Sequence, residues 1–146
     1  MNILSSCYLF RGLRPHKIDE LAKAVSEISV VENAWLFHEG DPADHLYFLV
    51  DGAVDLLTTI ESDVELPTAR LKTSGDCFGT GVLVEPFTYS LSARCVETAG
   101  LLTIDRGALV RIMEKDSDFG RIVMKNLAQH YLDRLREARE ELKVHF

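Results

Sequence analysis

The chain has 146 residues, of which 47% are hydrophobic, 27% charged and 8% aromatic, with 9 Gly and 4 Pro. That balance excludes a disordered, collagenous or purely coiled-coil chain, and a domain of this length buries roughly 70% of its unfolded surface, so it needs neither disulfide nor metal to hold a core. Lys and Arg number 16 against 23 Asp and Glu, a net charge of −7 with the two signs interleaved, which argues against nucleic acid as a direct partner.

No stretch approaches the roughly 18 consecutive apolar residues of a membrane span, and the N-terminus lacks the basic-then-apolar order of a signal peptide. A cytoplasmic protein with no membrane partner is expected. Cys7, Cys77 and Cys95 are odd in number, far apart and without a C-x-x-C, so they read as small buried hydrophobes in a reducing compartment.

From Pro15 to Ile28 the residues Ile18, Leu21, Ala22, Val25 and Ile28 recur at spacings of three and four, which predicts a short helix. Short apolar runs broken by turn residues follow from Val30 to about Asp105: Ala34 to Phe37, Leu46 to Val50, Ala53 to Ile60, Ala69 to Lys72, Tyr89 to Val96 and Leu101 to Asp105. Glu39-Gly40-Asp41-Pro42 marks one turn, and Asp51-Gly52 between two apolar runs is the signal of a two-residue hairpin. In Tyr89 to Val96, Tyr89, Leu91, Ala93 and Cys95 alternate with Ser90, Ser92 and Arg94, the period of a strand with one wet face. Such strands predict an antiparallel barrel or jelly roll.

Asp105-Arg106-Gly107 then caps a short helix through Glu114, and Asp116-Ser117-Asp118 caps a longer one towards Leu142. Met124, Leu127, Tyr131, Leu135, Ala138 and Leu142 form one apolar stripe along it. A helix of about 25 residues is ~37 Å long, more than a barrel this small covers. Leu127, Tyr131, Leu135, Ala138 and Leu142 are therefore the expected homodimer interface, with Met124, Leu127 and Tyr131 also suited to the chain's own barrel. No internal repeat or Gly/Ser linker divides the chain, which predicts a single domain over residues 1–146. Its fold class is mainly β with flanking helices: an N-terminal helix, a β-roll over about 30–105 and C-terminal helices over about 106–142.

This order of elements resembles the cyclic-nucleotide-binding domain, the module shared by bacterial catabolite activators, protein kinase A regulatory subunits and cyclic-nucleotide-gated channels. Leu9-Phe10-Arg11-Gly12-Leu13 precedes the first helix, and Phe37-His38-Glu39-Gly40-Asp41-Pro42-Ala43-Asp44-His45-Leu46-Tyr47-Phe48 is similar to the family's "F-x-E-G-D-x-x-D-x-x-Y" stretch. Val50-Asp51-Gly52-Ala53-Val54 is similar to its "V-x-x-G-x-V", and Gly75-Asp76-Cys77-Phe78-Gly79 resembles the "G-E/D-x-F-G-E" that opens the phosphate-binding cassette. The likeness spans about residues 9–140. It implies a one-turn helix after a glycine turn, its backbone N–H groups facing an anion. It also implies an arginine on the phosphate and a glutamate on the ribose.

At those two positions this chain has Tyr89 and Thr80. From Thr73 to Ala93 there is no Lys, Arg or His, and Asp76 and Glu85 are the only formal charges. A charge-assisted hydrogen bond contributes about 1.5–3 kcal/mol, so loss of the arginine alone weakens cyclic-phosphate binding about 10- to 150-fold. Alternation places Arg94 opposite Tyr89 and Leu91, so it is no replacement.

The expected function is a non-catalytic regulatory or sensor module in which a small molecule, cyclic nucleotide or other, sits in the β-roll and acts through the last helix. The candidate ligand contacts are Phe78 as packing anchor, Gly79, Gly81, Val82 and Leu83 as backbone donors, and Thr80, Tyr89 and Ser90 as side chains. The alternatives are an interaction protein with an empty pocket, in which Tyr89 fills the phosphate seat, and a conventional cAMP or cGMP receptor. No cofactor is expected. His38 and His45 share a turn but lack a third ligand of suitable spacing, so no metal is expected. Ser90 and Ser92 lack a nucleophile context such as G-x-S-x-G, so an enzyme is not expected. After the long helix too little sequence remains for a helix-turn-helix, so, if the chain is complete, a stand-alone sensor or an adaptor is expected, with a downstream protein among the candidate partners.

Overall fold

A computed structural model describes residues 3–144. Two short 3-10 turns, Ile3–Ser6 and Tyr8–Phe10, lead into helix α1 (Pro15–Ala24). Six strands follow: β1 (Ser26–Val30), β2 (Trp35–Phe37), β3 (His45–Glu61), β4 (Val64–Leu71), β5 (Cys77–Phe78) and β6 (Ser92–Asp105). Helices α2 (Arg106–Lys115) and α3 (Ser117–Val144) complete the chain. Every strand pairing is antiparallel, and the sheet runs β1-β6-β3-β4 with β2 on β6 and β5 on β3. This is the expected β-roll with flanking helices.

The roll is built on two long strands that change partners along their length. β3 pairs β5 through Tyr47 and Phe48 and then β4 from Val54 onwards, while β6 pairs β2 at Ala93 and Arg94 and then β1 from Ala99 to Thr103. Between these halves the β3–β6 register slips between Leu49 and Val54. Bulges of this kind bend and twist a sheet, which here rolls up on itself. Asp51-Gly52 lies at this bend, inside β3, and is not the expected hairpin. Gly52 has φ +87°, and a Cβ there would lie 2.4 Å from the Thr98 carbonyl oxygen. Asp51 Oδ1 accepts from Gly100 N–H at 2.8 Å across the bulge. The positive φ is thus needed as predicted, for a bend and not for a chain reversal. The reversal is made by Ser62 and Asp63, between the paired Glu61 and Val64.

Two further expectations are corrected. The first helix ends at Ala24, because Ile28 pairs Leu101 in β1 and sheet pairing overrides the helical spacing of Val25 and Ile28. Tyr89 lies before β6, and Ser92, expected on the wet face, is fully buried, its Oγ accepting from Glu39 N–H at 2.8 Å. The loop around Glu39 covers that face at Ser92, while Ser90 stays exposed.

The core joins three parts of the chain. Phe10 of the N-terminal turn packs against Phe48 of β3 and Phe119 of α3, with ring centroids 5.7 and 6.4 Å away. Asn126 of α3 donates to the carbonyls of Leu9 and Arg11 at 2.8 and 2.9 Å, fastening the helix to the same turn. Asp105 caps α2 through Ala108 N–H, and Asp116 caps α3 through the N–H groups of Asp118 and Phe119, both as the sequence predicts. Asp55 is 3% exposed and holds Arg70 bidentately across β3 and β4, at 2.7 and 3.0 Å.

Candidate functional site

A cavity of about 630 Å³ opens between β5, the segment 79–91, β4 and α3. Its inner wall is aromatic. Phe37 stacks on Tyr89 at 3.7 Å, and Phe78 stacks on Tyr47 at 5.1 Å and lies 6.2 Å from Phe37. After β5 the chain turns through Gly79 in the left-handed region and makes a single 3-10 turn, Thr80–Leu83. Gly81 is required by close approach: a Cβ there would lie 2.2 Å from the Thr88 carbonyl oxygen. The returning segment is pinned to the Gly40 turn, with Gly40 N–H on the Tyr89 carbonyl and Tyr89 N–H on the Asp41 carbonyl.

Of the sequence-predicted ligand contacts, Phe78, Gly79, Thr80, Gly81, Tyr89 and Ser90 line the cavity. Val82 and Leu83 do not. Val82 is 2% exposed in the core and its N–H is already given to the Gly79 carbonyl, while Leu83 packs on the outside of the core. A one-turn helix must bury one of its faces, and here that face takes the two aliphatic residues.

Tyr89 stands where the resemblance implies an arginine. It is 3% exposed, and its hydroxyl accepts from the N–H groups of His45 and Asp44 at 3.1 and 3.3 Å. The same hydroxyl donates to the His45 carbonyl at 2.9 Å, with Asp44 Oδ1 at 3.2 Å. A phenol offers one proton and two lone pairs, so these bonds exhaust it. Burial raises its pKa above the usual phenolic range, which keeps the proton on. Tyr89 thus seals the end of β3 and presents only its ring to the cavity.

Across the mouth, Thr80 and Tyr131 of α3 share a hydroxyl-to-hydroxyl hydrogen bond. Beside them Tyr8 stacks on His130 at 4.0 Å, so the N-terminal turn and α3 meet over the opening. Burial, and next the Arg134 charge, lower the His130 pKa from 6.5, favouring the neutral ring. Cys77 also lines the cavity, its thiol pKa pushed up by a hydrogen bond to Cys7 and then by burial. The formally charged lining residues are Arg134, Glu137 and Glu141, and Arg134 faces Glu137 at 3.7 Å.

Sequence reasoning missed Tyr8, His130 and Arg134 as lining residues, placed Ala138 in an interface and gave Tyr131 both to that interface and to the chain's own barrel. Tyr131 and Ala138 both line the cavity. Leu127 belongs to the chain's own core at 2% exposure, which removes it from the expected interface, whereas Leu135 and Leu142 are 47% and 61% exposed. Arg94 is absent from the cavity lining. Its guanidinium sits 5.3 Å from the Trp35 ring centroid on the outer face. Among the described residues no cluster of three His, Cys, Asp or Glu is placed to hold a metal, and no helix is long and apolar enough to cross a membrane.

The family model for the cyclic nucleotide-binding domain matches residues 27–116, from β1 to the end of α2. The chain belongs to this family. The chain is similar in sequence to the potassium channel AKT3 of Oryza sativa subsp. japonica. It is 32% identical over 144 residues, covering 94% of this chain and 15% of the channel. The CRP-like cAMP-activated global transcriptional regulator of Mycobacterium tuberculosis is 27% identical over 107 residues, covering 73% of this chain and 47% of the regulator. The crystal structure of Thermus thermophilus catabolite activator protein is similar with a TM-score of 0.77 and 29% identity, over 94% of this chain and 62% of that one. The chain spans less than half the length of either curated relative. Its family is one of regulatory domains, and no enzyme family is indicated.

Proposed function

We propose that this cyclic nucleotide-binding domain is a ligand sensor whose cavity occupant sets the position of α3, and that the exposed end of α3 passes the change to a second copy. The Thr80–Tyr131 hydrogen bond carries the reading, because it ties the cassette to the signalling helix across the cavity mouth. A molecule seated there competes with that bond or braces it. It shifts α3 only by its difference in affinity for the two helix positions. The ordinary cyclic-phosphate mode is not the one used, since the arginine position is a buried tyrosine with its hydroxyl already spent. The second-copy surface is Leu135, Ala138 and Leu142, continued by Tyr131 where the cavity ends.

The test is a thermal-shift titration of the purified protein against small metabolites, with cAMP and cGMP included up to millimolar concentration. A ligand at 100 times its dissociation constant adds about 2.7 kcal/mol, several degrees for a domain of this size. The expected result is a shift by a metabolite that is altered in Tyr131→Ala, and none by the two cyclic nucleotides. A cyclic-nucleotide shift of micromolar affinity overturns the argument from Tyr89. A cooperative melt that no compound raises supports a second reading, favoured by the saturated Tyr89 hydroxyl: an interaction protein that works through α3 alone.

A further inference from the structure

Resting on the ligand-sensor reading, we infer that the cavity takes an uncharged, largely apolar ring compound and turns anions away, unlike the nucleotide sites for which its family is named. Three observations carry this. The inner wall is made of the Phe37, Phe78 and Tyr89 rings, which offer faces and edges to a flat molecule of the size that about 630 Å³ holds. The remaining polar side chains of the lining are the hydroxyls of Tyr8, Thr68, Thr80, Ser90 and Tyr131, the Cys77 thiol and the His130 ring, none of them a fixed charge, and they suit a carbonyl or hydroxyl substituent. The formal charges of the lining are one arginine against two glutamates, all at the α3 side of the mouth. That arginine is 55% exposed and already faces Glu137.

An anion entering the roll would shed its water and meet aromatic carbon where the resemblance implies a guanidinium. A buried charge without a partner is strongly disfavoured, whereas a neutral ring loses little and gains the wall. Tyr89 cannot turn to meet the anion without stripping the Asp44 and His45 N–H groups of their acceptor.

The experiment uses a matched pair of fluorescent probes, N-phenyl-1-naphthylamine and its 8-sulfonate, which differ by one anionic group, with thioflavin T as a cationic ring probe. The neutral amine should bind saturably with an emission rise, and the sulfonate at least tenfold more weakly. Ala69→Trp and Thr68→Trp, which push an indole into the β4 side, should each abolish the neutral signal while the cooperative melt is kept. Thr68 is exposed on β4, so its variant is expected to fold even where Ala69→Trp does not. Equal or tighter binding of the sulfonate, or a preference for thioflavin T, overturns the inference while leaving the sensor reading intact. Neutral-probe binding that survives both tryptophan substitutions places the probe elsewhere and also overturns it. Failure of all three probes overturns the inference, and the sensor reading is then decided by the metabolite titration.

Discussion

The two halves of α3 carry apolar residues at the same spacing and put them to different uses. From Ser117 to His130 the helix is part of the core, with Phe119, Val123 and Leu127 each no more than 2% exposed. From Tyr131 to Val144 every residue is exposed. The first half is held by burial, by the Phe10–Phe119 contact and by the Asn126 bonds to the N-terminal turn. The second touches the rest of the domain mainly around the cavity mouth. Core packing and the proposed signalling role thereby fall on different halves of one helix, and the boundary is at His130 and Tyr131, where the cavity opens.

The sharpest way to break this comparison is Phe119→Ala, which deletes a fully buried ring from the first half and should cost ~3–5 kcal/mol in chemical denaturation. A loss under 1 kcal/mol would mean that the half is not structural at all. Asn126→Ala removes two donors from the Leu9 and Arg11 carbonyls and should cost about 1–2 kcal/mol, with faster hydrogen exchange in the N-terminal turns.

The boundary itself should show in the pH dependence. The His130 pKa is lower folded than its ordinary 6.5, by burial first and by Arg134 second, with Asp133 and Glu137 opposing, and Tyr8 stacks on its ring. In the window between those values the unfolded chain binds more protons, so stability rises with pH. It is fully present above about pH 6.5 and lost as pH falls through the lowered value. The melting temperature should therefore drop on acidification below pH 6.5, and His130→Phe, which keeps a ring against Tyr8, should flatten that slope.

The smallest expected change in stability is from Leu135→Glu in the exposed half, within about 0.5 kcal/mol for the single chain. Its effect should be on association instead: wild type sedimenting as a dimer and the variant as a monomer. A variant that stays dimeric places the second-copy surface elsewhere.

The roll was legible in its short apolar runs, and both C-terminal helices in their aspartate caps. The errors share a cause. Asp51-Gly52 does carry the positive φ that a hairpin uses, but β6 offers it a partner on the far side, and the residues serve a bulge instead. Ser62 and Asp63, which do reverse the chain, are an ordinary polar pair with no glycine to announce them. Ser92 reads as exposed by alternation until the Glu39 loop covers it. The cassette half of the site, from Phe78 to Ser90, was readable because its residues are neighbours in sequence. Tyr8, His130 and Arg134 were not, since they reach the cavity from opposite ends of the chain.

The sequence alone determined the elements, the family resemblance and the absence of cationic side chains between Thr73 and Ala93, because dihedral preference, periodicity and charge are properties of short windows. Only the tertiary structure decided where β3 bends, which half of α3 the barrel claims, and that the Tyr89 hydroxyl is spent on Asp44 and His45. Each of these depends on which distant surface a residue is pressed against. That choice is made by burial and backbone pairing across the whole chain, and no local stretch contains both partners.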